Sequence, residues 1–170
     1  MPMKLIKDLN SRSQKLDFVN QAKDDPRTIE RCEYTMRIYT VLKEQLDQIA
    51  PTIEQLKGLV KGFELAQAIV GQHKELFKKE YEAEKLTKDE FRDKCTIVDA
   101  CIESLSGAHQ NRKEELYRAA GKADGIYLSA NSALEHVEKY LLNLEQQRRF
   151  MEDDSITEDK GNGKAKEATV

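Results

Sequence analysis

The sequence predicts an all-α fold, a long antiparallel helical hairpin of coiled-coil type carrying a short N-terminal helix. Three observations predict it. Charged residues make up 35% of the chain, with eight Gly, three Pro and no Trp, the composition of long solvated helices. Eighteen apolar-rich positions from Phe91 to Met151 alternate steps of four and three without a slip, and a 3.5-residue period sustained that long marks a coiled-coil seam. Finally, residues 26–86 and 91–151 are each 61 residues long, about 90 Å of helix apiece at the α-helical rise. A helix-start signal lies between these two equal arms.

Taken in order, residues 3–23 read as an amphipathic helix with Leu5, Ile6, Leu9, Leu16 and Val19, weakened by Asn10, Ser11 and Ser13. Asp25 then offers an N-cap and Pro26 a first helical residue whose missing N–H costs nothing. From there Ile29, Cys32, Met36, Tyr39, Leu42, Leu46 and Ile49 recur along one stripe, which predicts a helix over 26–50. Pro51 interrupts it. Thr52 and Gln55 match a capping box for a restarted helix over 52–86, whose seam reads Leu56, Leu59, Phe63, Ala66, Val70, His73 and Phe77. The absence of Gly or Asn at Pro51 favours a kink there over a reversal.

Thr87 and Glu90 form a second capping box before Phe91, so the last helix is expected over 88–151. Its seam runs Phe91, Cys95, Val98, Ile102, Leu105, His109, Arg112, Leu116, Ala119, Ala123, Ile126, Ala130, Ala133, Val137, Tyr140, Leu144, Gln147 and Met151. Residues 1–151 read as one helical domain. Beyond them, 152–170 carries Ile156 and Val170 as its only large apolar residues and is expected to be a flexible charged tail.

Pairing around a turn near residue 88 sets Pro51 beside Gly125. The small-residue stretch AAGKADGIYLSANSA, Ala119 to Ala133, would then let a bent helix approach closely. The competing fold is a compact bundle of four or five shorter helices broken at glycines such as Gly107.

Little in the chain suggests chemistry. The GK of AAGKADG lacks the remainder of a phosphate-loop pattern and follows no strand. His73, His109 and His136 are far apart in sequence, and His73 with Cys101 would make only two ligands of a zinc site. Cys95 sits on the apolar seam, where a thiol behaves as a small hydrophobe. No catalytic, cofactor-binding or metal-ligating residue is assigned, and the chain is expected not to be an enzyme.

Net charge is −3 with both signs interspersed, so no global field draws in nucleic acid or an anionic membrane. The Lys61, Lys74, Lys78 and Lys79 cluster is largely cancelled by neighbouring Glu. Five basic residues stand against two acidic ones in 1–23, but the apolar face beside them suits packing on the hairpin better than lipid. The three cysteines lack CxxC spacing and the N-terminus lacks a signal-type apolar run, pointing to a cytoplasmic setting, or a virion-associated one that looks the same in sequence.

The expected function is structural: assembly by self-association through a coiled-coil seam, a homodimer above all. The alternatives are an adaptor or inhibitor presenting a helical face to another protein, and a nucleic-acid accessory protein. The interface is expected on small or apolar residues off the seam, namely Ile69, Leu76, Ile97, Gly121, Gly125, Tyr127, Leu134 and Leu141, because stripes wider than a two-helix seam call for a further neighbour.

Overall fold

The structure, a computed structural model, describes residues 3–168, with their side chains from Met3 to Asp153. Four helices follow one another: α1 Met3–Lys15, α2 Phe18–Gln21, α3 Pro26–Glu82 and α4 Lys88–Ala168. The helices α3 and α4 pair as an antiparallel hairpin, as expected, and no strand occurs among the described residues. The bundle of shorter helices is not formed, since neither long helix is divided at its glycines. The side chains of the expected tail lie outside the described residues from position 154 onward.

The predicted single N-terminal helix over 3–23 is two. The Ser13 hydroxyl donates to the Asn10 carbonyl at 2.9 Å, and the Leu16 N–H reaches back only to Ser13, at 3.3 Å. Asp17 then starts α2 by accepting the Asn20 N–H at 3.3 Å. At the start of α3 the cap is the one read from the sequence: Asp25 Oδ1 accepts the N–H groups of Arg27 and Thr28 at 3.2 and 3.3 Å, and Oδ2 accepts the Thr28 hydroxyl at 2.8 Å. Those bonds, the Thr28 hydroxyl first, hold the Asp25 carboxyl below its ordinary value.

Pro51 does not end a helix. The predicted break between 50 and 52 is absent, and α3 runs through the proline, whose exposed position leaves its missing hydrogen bond on the solvent side. The reversal comes instead after Glu82. Glu84 takes a left-handed conformation at φ 62°, its N–H bonding the Tyr81 carbonyl at 3.0 Å while the Lys85 N–H bonds the Glu80 carbonyl at 2.9 Å. This is the Schellman closure, which usually employs glycine where Glu84 stands. Three residues on, Thr87 Oγ1 accepts the Glu90 N–H at 3.2 Å and caps α4.

Contacts cluster into two compact units whose limits fall within the long helices, one comprising Leu46–Gly125 and the other Pro2–Gln45 with Ile126–Val170. Unit one is a two-helix pair, and its buried apolar residues are Leu46, Ile53, Leu56, Val98 and Ala123.

Unit two has more cover. Ala22, Cys32, Val137 and Leu141 form a buried cluster, with Leu16, Phe18, Ile29, Met36, Tyr140 and Leu144 packed around it. Ile6 and Leu9 are buried as well, so the apolar face of α1 is covered by protein. The Tyr39 hydroxyl donates to the Leu9 carbonyl at 3.2 Å. Arg12 reaches α4, its Nη2 lying 2.6 Å from Glu138 Oε1 and its Nη1 2.7 Å from Asn131 Oδ1. Burial opposes the charge on Arg12, but the Glu138 hydrogen bond and the charges of Glu138, Asp8 and Glu135 outweigh it and raise its pKa.

Candidate interaction surface

In unit one the register is set by polar pairs. Lys74 Nζ lies 2.7 Å from Asp99 Oδ1, Gln67 Nε2 donates to Ser106 Oγ at 2.9 Å, and His109 Nε2 sits 3.2 Å from Glu64 Oε1. Each step forward on α3 is matched by the same step backward on α4. Near the turn, Tyr81 stacks on Phe91 at 4.6 Å and the Lys94 ammonium stands 5.0 Å from the Phe77 ring centre. Gln67 thus meets Ser106, where a turn centred near residue 88 would set it by His109. The offset arises because α3 stops at Glu82, ahead of the expected end at 86.

The α4 seam is as predicted: every position from Phe91 through Leu144 is buried or half-buried, and only Gln147 and Met151 are exposed. On α3 the prediction holds only in part after Pro51. Leu56, Phe63, Val70 and Phe77 do face inward, but the alternate positions are Val60, Gln67 and Lys74, not Leu59, Ala66 and His73. Leu59 is 47% exposed and His73 is exposed. The true seam continues Cys32, Tyr39, Leu46 and Ile53 by sevens, a phase lost when a new helix is started at Thr52.

This phase gives unit one two unlike sides. Along residues 51–76 of α3, Glu54, Lys57, Lys61, Glu64 and Glu75 occupy one side and Lys74 the seam edge, where it pairs with Asp99. The remaining rows are Pro51, Gly58, Leu65 and Gln72; Thr52, Leu59, Ala66 and His73; and Gln55, Gly62, Ile69 and Leu76. None is an Asp, Glu, Lys or Arg, and all but half-buried Ala66 are exposed. By heptad position, the α4 residues flanking the same side are Ile97, Cys101, Ser104, Ala108 and Asn111 beside residues 62–76, without carboxylate, ammonium or guanidinium, and then the charged Glu115, Arg118 and Lys122 beside residues 51–58.

Three of the predicted interface residues stand in the open on this side, with Ile69 53%, Leu76 48% and Ile97 65% exposed. Leu59 and Leu65 join them, the latter 65% exposed. Sequence reading missed both, although the 3,4 spacing of Glu54, Lys57, Lys61 and Glu64 marks the opposite side. Gly121 and Gly125 are exposed, and a Cβ on either would meet nothing within 4 Å. The close approach expected beside Pro51 is therefore not made.

Tyr127 is half-buried. Leu134 and Leu141, expected at an interface, are 0% and 5% exposed within unit two. Leu141 belongs to the cluster with Ala22 and Cys32, so the N-terminal segment supplies the neighbour that its apolar row calls for.

Elsewhere in unit two, an open depression is lined by Glu30, Arg31, Glu33, Tyr34, Arg37 and His136, where opposite charges alternate. Among the described residues, no buried side-chain N or O lacks a hydrogen-bond partner, and no group of three His, Cys, Asp or Glu residues is placed to hold a metal ion. His73 lies 6.3 Å from the Phe77 ring on its own helix. Cys32 is buried, which raises its thiol pKa, whereas Cys101 is exposed. No helix among the described residues is long and apolar enough to cross a membrane. No protein-family model, curated protein or solved structure matches the chain.

Proposed function

We propose that the chain is a non-enzymatic helical assembly module that self-associates. The observation that carries this reading is the two-sidedness of unit one: a side held by charged pairs, and a side of exposed Leu59, Leu65, Ile69, Leu76 and Ile97 whose α3 rows over residues 51–76 carry no Asp, Glu, Lys or Arg. Large apolar residues grouped on one uncharged side mark association surfaces. The coiled-coil seam, first expected to join copies, is occupied within the chain by α3 and α4, so association is assigned to the side next to it. A nucleic-acid role has less support, because Lys74 of the proposed basic cluster is engaged by Asp99 at 2.7 Å.

Light scattering coupled to size-exclusion chromatography tests the proposal. The expected mass is a multiple of the 19.5 kDa chain at micromolar concentration, falling on dilution. A mass of one chain at every concentration refutes self-association and leaves the adaptor reading, in which the same side meets a different protein.

A further inference from the structure

We infer that the uncharged side of unit one docks on the same side of a second copy about a two-fold axis, an assignment that rests on the self-association reading and names its surface. The first argument is charge. A charged partner face pressed onto Leu65, Ile69, Leu76 and Ile97 would lose hydration with nothing to pair it. In a chain that is 35% charged, the α3 rows from Pro51 to Leu76 and the α4 flank from Ile97 to Asn111 strand no charge, and Glu115, Arg118 and Lys122 stand only at the Pro51 end of that side. Every copy carries one, and an isologous contact sets it against itself.

Area gives the second argument. The α3 rows span about 39 Å at the helical rise, and the α4 positions from Ile97 to Asn111 about 22 Å more. With each helix presenting a strip roughly 10 Å wide, a copy offers about 600 Å² and the pair about 1,200 Å², the lower limit of specific interfaces. That size suits a dimer of micromolar affinity. Residues 3–23 are committed to unit two, and residues 154–170 are rich in Asp, Glu and Lys, which makes them a poor match for this side.

Glycine gives the third. Gly58 and Gly62 stand one turn apart on this side, and a Cβ added to either meets nothing within 4 Å. Glycine is the poorest helix former after proline, and no contact within the chain calls for it there. An opposing helix crossing at Gly62 would approach more closely than any larger residue allows.

Sedimentation velocity over about 1 to 200 µM, spanning micromolar dissociation constants, tests the assignment on four chains: the parent, Ile69→Glu with Ile97→Glu, Gly62→Leu, and Lys113→Glu as a control on the charged side. The parent is expected to dimerise. The double variant should weaken dimerisation at least about 30-fold and Gly62→Leu at least about tenfold, while Lys113→Glu stays near the parent. Gly62→Leu should also keep or raise the melting midpoint of the dilute monomer, since leucine is the better helix former. A maleimide should label Cys101 more slowly in the dimer than in the dilute monomer, a readout available even if the double variant fails to fold. A parent that stays monomeric throughout overturns both the assignment and the self-association reading. A parent that dimerises unchanged by Gly62→Leu, with Cys101 labelled at the monomer rate, overturns the assignment alone.

Discussion

Arg12 on α1 and Glu138 on α4, 126 positions apart in the chain, meet through a hydrogen bond of 2.6 Å. The guanidinium also holds Asn131, so one side chain ties the N-terminal helix to two turns of α4. Its side chain is 24% exposed and that of Glu138 38%, which screens the pair below the strength of a buried one. Arg12→Ala is expected to cost about 1 to 2 kcal/mol in chemical denaturation. Amide exchange should rise in α1 and around Leu141 and stay unchanged between Leu59 and Ile97. An equal rise in both units would show that α1 supports more than unit two.

Glu84 holds a left-handed conformation that costs an L-residue roughly 1 to 2 kcal/mol and glycine almost nothing. Part of that gain is offset by the greater freedom of glycine in the unfolded chain. Glu84→Gly should therefore raise stability by about 0.5 to 1 kcal/mol, measured as a higher thermal midpoint. Glu84→Val should lower it, because a β-branched residue fits the left-handed region worst.

Gly121 and Gly125 lie within α4 with open space around them. Alanine at either position should stabilise the helix by about 1 kcal/mol, and the two changes together should raise the thermal midpoint further. A loss of stability at Gly125 would restore the tight contact with the Pro51 region that the structure does not contain.

Asp25 caps α3 through Arg27 and Thr28, and its lowered pKa ties stability to pH. The stabilisation is present above the unfolded-state value of aspartate and is lost as pH falls through the lower folded-state value. Asp25→Ala should melt below the parent at neutral pH, with the gap closing in strong acid. Asp25→Asn keeps a capping oxygen, so it should recover part of the neutral-pH stability and remove this residue's contribution to the acid dependence. Thermal scans across the acid range check both.

The sequence by itself determined the features whose physics is local. Asp25 and Thr87 mark helix starts because a short side-chain oxygen satisfies N–H groups within its own turn. The α4 seam was legible over its whole buried length because fifteen of the eighteen positions between Phe91 and Met151 are apolar or small and their seventeen steps leave a single consistent phase. Ile69, Leu76 and Ile97, read from their spacing as lying off the seam, are exposed.

Tertiary structure decided the rest. After Pro51 two sets of alternate residues, Leu59 with Ala66 and His73, or Val60 with Gln67 and Lys74, fit the same 3,4 spacing. Hydrophobicity favours the first, yet α4 brings Ser106 and Asp99 to Gln67 and Lys74 and leaves Leu59 and His73 exposed. Leu134 and Leu141 read as open flanks until the N-terminal segment folds onto unit two. The reversal at Glu84 carries no glycine to announce it. Periodicity specifies a stripe along a helix, but the angle at which that stripe meets its neighbour, and whether the next row is covered, depends on residues far away in sequence.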